Sequence, residues 1–248
     1  MASLLAAAAF FVLLHLLVSG TRARDAITAK IGDGPYMGLF SLASVAGLAW
    51  LGFGYADART APWNASYWDI TPLTWKIQLL LQGLAFLFVV VGLTTPNPTS
   101  VKQEGTLSRP DVVKGMLRIT RHPFLWGVAL WAAGHLLVNG DRASIILFGA
   151  MLLLALSGTA SIDAKRQRAL GPTWHAFATQ TSNLPLRRHP VRPPDPEDRR
   201  DRRVADTGGH RRLCRPRRGP PLPVWRVGHL LIAVRAFRSA QVRSASGS

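Results

Sequence analysis

Five stretches of this chain carry no formal charge: between Met1 and Arg22, Asp33 and Asp57, Lys76 and Lys102, Arg121 and Asp141, and Arg142 and Asp163. Each is roughly 18–25 residues long and mostly apolar, the length a helix needs to cross a bilayer. The expected spans are residues 3–19, 36–54, 77–93, 124–138 and 143–162. Inside lipid, backbone groups must pair within the protein, so only helices and closed barrels cross it. These runs lack the alternation of barrel strands. The pattern therefore predicts an all-α, polytopic transmembrane helical bundle of about five spans, with the lipid bilayer as its main partner. A signal peptide is the alternative for the first span, but Met1-Ala2 supplies no basic leading segment.

Composition at first points elsewhere. Thirty Lys and Arg against 13 Asp and Glu give a net charge of +17, which suggests nucleic acid. The distribution removes that reading. Residues 187–248 hold 16 arginines, no lysine and five acids, a net +11, while residues 1–186 carry +6. The chain thus divides into a transmembrane domain at 1–186 and an Arg/Pro-rich tail at 187–248. The tail has no apolar run able to cross a bilayer, and its composition is that of a shifted reading frame of GC-rich DNA. It is expected to be disordered; a polybasic segment on an anionic lipid surface is its functional alternative. The only cysteine, Cys214, lies in this tail, so a disulfide scaffold is excluded. No nucleic-acid partner is expected.

The cations of the body alternate by loop. Arg22, Arg24 and Lys30 follow the first span, Lys102, Arg109, Lys114, Arg118 and Arg121 lie between the third and fourth, and Lys165, Arg166 and Arg168 follow the fifth. The intervening loops carry Arg59 and Arg142. The positive-inside rule then predicts an N-terminus outside and a C-terminus in the cytoplasm. Trp63, Trp68 and Trp75 flank the opposite face, as interfacial anchors do. Asn64-Ala65-Ser66 is a glycosylation sequon. No glycine-rich phosphate loop, CxxC, HExxH or Ser/His/Asp arrangement occurs.

Ionisable groups within spans are costly and so become functional candidates. Two histidines qualify, His15 in the first span and His135 in the fourth. Ala7, Ala8, Phe11 and Ser19 share the helix face of His15, and Gly127 and Trp131 share that of His135. Small residues beside an aromatic permit either close helix approach or room for a flat porphyrin, so two readings stand. Each histidine hydrogen-bonds a neighbouring helix, or the two supply neutral imidazoles as metal ligands to a haem. Their depths differ: His15 lies roughly 18 Å from the outer end of its span and His135 roughly 5 Å, at 1.5 Å per residue. His122 is closer in depth to His15.

His122 belongs to Arg121-His122-Pro123 at the inner mouth of the fourth span. Pro123 suits the first helical position. Arg121 and His122 then flank a helix N-terminus, where anions bind; ordinary interfacial anchoring is the other reading. Asn139-Gly140-Asp141 makes a tight turn into the fifth span, so the last two spans form a helical hairpin.

The first helix with His15, the run Gly32-Asp33-Gly34-Pro35-Tyr36-Met37-Gly38-Leu39-Phe40-Ser41-Leu42, and the segment from Arg121-His122-Pro123 to Gly134-His135-Leu136-Leu137-Val138-Asn139-Gly140-Asp141 together resemble the NnrU family. These are bacterial integral membrane proteins associated with nitrite and nitric oxide reduction, similar to plant 15-cis-ζ-carotene isomerase. The resemblance implies a haem b held by His15 and His135, with His122 as the other histidine of that region; Arg121, with Arg118 or Lys114, is then placed to pair with the haem's propionates or a phospholipid head group at the inner face. It also implies a bacterial inner-membrane location, a hydrophobic small-molecule substrate, and a role in denitrification or in cis–trans isomerisation of a carotenoid-like polyene. Ala132 stands where the plant isomerases have a cysteine. The Arg121-His122-Pro123 hairpin is also similar to isoprenylcysteine-type membrane methyltransferases, which bind S-adenosylmethionine. Here, however, Leu125 replaces their tyrosine, Asp163 is the only acid after the next helix, and Gly171-Pro172-Thr173-Trp174-His175 matches loosely.

Overall fold

The computed structural model describes residues 1–109 and 111–187; beyond Arg187, the tail lies outside the described residues. Among the described residues the chain is all-helical, and its one β-type pairing is an isolated bridge between Ser66 and Asp141.

Helix α1 (Ala2–Leu13) continues without a break into a π-helical segment, Leu14–Ser19. Such widened turns are rare and often mark functional sites. A short helix, α2 (Arg22–Ile31), follows, capped by Thr21, whose hydroxyl accepts from the Ala23 amide at 3.1 Å. Gly32 then takes φ 84, a conformation open to glycine, and redirects the chain into α3 (Asp33–Thr60). Helix α4 (Pro72–Thr94) starts at a reciprocal Thr71–Thr74 capping box with proline in its first turn. Helix α5 (Pro123–Val138) starts at the proline that the sequence marks. Helix α6 (Arg142–Gln180) is capped by Asp141, which accepts from the Ser144 amide at 3.0 Å.

Four of these helical runs are long and apolar enough to cross a membrane: Ala2–Ser19, Asp33–Thr60, Pro72–Thr94 and Arg142–Gln180. The fourth expected span, 124–138, forms the shortest of the apolar helical runs. Helix α5 has 16 residues, about 24 Å at 1.5 Å per residue. In the opposite sense, α6 runs well past the expected end at residue 162, to Gln180, with a kink at Gly171 (φ 50) before Pro172. Asp163, Lys165 and Arg166 do not stop it, because a helix leaving the apolar layer keeps its own hydrogen bonds.

Helix α6 is central, touching α1, α3 and α5, while α4 packs on α5. Small residues set these approaches. A Cβ on Gly127 of α5 would lie 2.8 Å from the Val89 amide nitrogen of α4, and one on Gly54 of α3 would lie 3.2 Å from the Leu4 Cα of α1. The outward faces are apolar: Phe53 is 77 % exposed and Phe86 71 %. Continuous apolar faces of this kind belong against lipid, and the chain is a multi-pass membrane protein.

The loops gather at two ends. At the tryptophan end, Asn64 joins α3 to α6: its amide donates to Asp141 Oδ1 at 3.0 Å and its carbonyl accepts from the Ala143 amide at 2.9 Å. The sequon asparagine is thus an internal cap. At the basic end, Arg168 donates to the Gly20 carbonyl and Arg166 to the Ser100 carbonyl, drawing the ends of α1, α6 and the 95–122 loop together.

Candidate functional site

The Arg121-His122-Pro123 segment does meet an anion, and the anion is the protein's own. Arg121 Nε donates to Asp163 Oδ1 and Oδ2 at 2.9 and 3.0 Å. His122 Nε2 lies 2.8 Å from Asp163 Oδ1, and Asn183 Nδ2 donates to Oδ2 at 2.9 Å. Arg121 also donates through Nη1 to the Thr181 carbonyl at 3.1 Å, while its own carbonyl accepts from Asn97 and Thr99, each at 3.0 Å. Trp126 Nε1 and Thr120 Oγ1 both donate to the Asn183 carbonyl. The result is a polar knot that ties the start of α5 and the preceding loop to the stretch after α6. Burial pushes the His122 imidazole below its ordinary range, against the opposing pull of Asp163. A carboxylate only accepts, so Nε2 carries the proton, and Nδ1 is left buried without a partner.

Arg121, expected beside a cofactor's propionates, therefore has its guanidinium turned to Asp163 and Thr181, with the side chain 12 % exposed. The same segment carried the methyltransferase resemblance, and here it packs on residues 181–183.

His15 and His135 stand in separate surroundings. His15 sits on the π-helical segment, its ring 4.4 Å from Phe11 and 5.2 Å from Phe40 between centroids. Its Nδ1 lies 2.8 Å from the Phe11 carbonyl oxygen. A carbonyl can only accept, so Nδ1 bears a proton, which leaves Nε2 as the ring nitrogen able to ligate in the neutral tautomer. His135 stacks flat on Phe148 at 4.5 Å and meets Trp131 edge-on at 5.2 Å. The two histidines share none of these ring contacts.

His15 lines a cavity of about 300 Å³ between the π-helical segment, α5 and α6, walled by residues such as Phe11, Val128, Met151 and Leu154. Neither His122 nor His135 lines it. Toward the basic end it shares Ser19 and Lys165 with a wider cleft of about 760 Å³. Among the described residues no group of three His, Cys, Asp or Glu converges as a metal site.

Several of these partners do not stand out in the sequence. Asp163 lies 42 residues from Arg121, and Asn183 a further 20 along the chain. One signal existed: Asp163 is the single acid of the body beyond the fifth charge-free window.

Comparison with curated proteins and with solved structures gave no match. A family model described as NnrU protein matches residues 3–209, all five apolar helices and the histidines above included. The chain belongs to the NnrU family.

Proposed function

We propose that this membrane protein binds haem b in the cavity lined by His15, and that the site serves cis–trans isomerisation of a hydrophobic polyene or a reaction of denitrification. One observation carries the reading: an imidazole whose Nδ1 is held by the Phe11 carbonyl lines a mostly apolar cavity. A carbonyl-oriented histidine beside a mostly apolar pocket suits haem iron as an axial ligand. The cavity and its adjoining cleft, about 300 and 760 Å³, lie in the roughly 300–1,000 Å³ range of small-molecule sites. Bound there, haem would supply reversible one-electron chemistry at its iron. The chain's own part is to hold the iron through His15, to pack the imidazole between Phe11 and Phe40, and to keep water out with Met151 and Leu154. The geometry favours His15 as the only histidine ligand, with His135 outside the cavity.

On the same reading the basic end faces the cytoplasm of a bacterial cell and the N-terminus lies outside. The gathering of Arg24, Lys102 and the α6 cations Lys165, Arg166 and Arg168 around one cleft supports this.

The test is the absorption spectrum of the purified full chain after haem supplementation. A Soret band in wild type, lost in His15→Ala and kept in His135→Ala, is the expected result. No band in wild type would sink the haem reading; a band that survives His15→Ala would overturn the ligand.

A further inference from the structure

The cleft at the basic end contains buried donors that make no hydrogen bond of good geometry. Tyr36, in the first turn of α3, is 5 % exposed; the Ser19 hydroxyl is a neighbour of its Oη but forms no well-aligned hydrogen bond with it. Arg166, 8 % exposed, reaches Glu104 with Nη1 and the Ser100 carbonyl with Nη2, while its Nε is buried and unpartnered. Both residues line the same cleft. A guanidinium N–H can only donate, and a phenol donates readily. Native proteins rarely leave such groups unsatisfied, so two in one cleft mark the place of an absent acceptor.

The charges there have the matching sign. Arg24 is 3.1 Å from Asp33 and 3.8 Å from Asp25, and Arg166 is paired with Glu104, which accounts for every acid lining the cleft. Lys102, Lys165 and Arg168 also line it, and none has a carboxylate within ion-pair distance among the described residues. The ligand that fits is an anion with several acceptor oxygens, a carboxylate or a phosphate. Its attached group follows from the neighbouring space: Lys165 and Ser19 belong to the cleft and to the apolar His15 cavity alike.

We propose that cleft and cavity together bind an amphiphile with an anionic head group. The head accepts hydrogen bonds from Tyr36 Oη, Arg166 Nε and Lys165, and the apolar body extends past Ser19 toward His15. This does not rest on iron. A porphyrin, with acidic side chains on one edge, is one such amphiphile, and a membrane lipid acid is another.

Native mass spectrometry of the full chain released from detergent tests it, with oleic acid and methyl oleate as paired probes. The acid adduct should exceed the ester adduct by about tenfold, the scale of one charge-assisted contact. Lys165→Gln should remove most of that preference and Tyr36→Phe part of it, and retained ester binding by Lys165→Gln shows the cavity still folded. Equal binding of acid and ester by wild type, or a preference untouched by both variants, would overturn the proposal. Displacement of the acid by millimolar inorganic phosphate alone would make the ligand a free anion and would also overturn it. Hemin against hemin dimethyl ester, run in parallel, distinguishes a porphyrin from a lipid acid as the occupant. His15→Ala, which loses haem on the preceding reading, should keep the acid-over-ester preference, so the two readings fail separately.

Discussion

The knot around Asp163 and the cleft around Tyr36 lie at the same end of the bundle and use the same kinds of residue, yet they are completed differently. In the knot, one carboxylate satisfies an arginine, a histidine and an asparagine at once. In the cleft, a tyrosine and an arginine keep buried donors unpaired, and three cations lack a carboxylate among the described residues. Burial of polar groups is common to both; the knot pairs its buried donors and leaves over one acceptor, His122 Nδ1, whereas the cleft leaves donors over. Donors paired within the chain hold helices together, whereas donors left over are matched to an acceptor that the chain does not itself provide.

Substitutions can break that contrast. Asp163→Asn removes the charge shared by Arg121 and His122 and leaves a buried guanidinium uncompensated, so it should destabilise the protein by about 3–5 kcal/mol. Unfolding in detergent measures it, and a loss under about 1 kcal/mol would mean that the knot behaves as an exposed ion pair. At the tryptophan end, Asp141→Ala removes the cap of α6 and the partner of Asn64; a loss of about 1 kcal/mol is expected. Equal losses at Asp163 and Asp141 would contradict the ranking of the two ends. The cleft should respond with the opposite sign. Tyr36→Phe deletes a buried hydroxyl that makes no well-aligned hydrogen bond, so the ligand-free protein should gain roughly 0.5–1 kcal/mol. A loss on that substitution would show that Tyr36 Oη has a structural partner, and would place the cleft with the knot rather than against it.

The route to these two regions was unequally visible along the chain. The five apolar helices could be read from charge-free windows, because a bilayer demands length and apolarity and little else. The start of α5 at Pro123 and the hairpin turn before α6 were equally legible, being local backbone chemistry. The π-helical segment under His15 was not, since nothing in the local run Leu14–Ser19 distinguishes it from an ordinary apolar helix. The anion held by Arg121 and His122 could be anticipated only as a type of ligand. Its source is a side chain of another helix, 42 residues away, and no local spacing encodes that meeting.

By itself, the sequence determined that this chain is a helical membrane bundle, which loops share a side, and which few ionisable groups lie near the apolar layer. These are one-dimensional properties, set by run length, hydropathy and the position of charges. Only the tertiary structure decided what each ionisable group does. It joined Arg121 and His122 to Asp163, separated His135 from His15, and left Tyr36 and Arg166 with unpaired donors beside an apolar cavity. The reason is that hydrogen bonds and ion pairs act over about 3 Å, a distance that folding, and not sequence order, assigns.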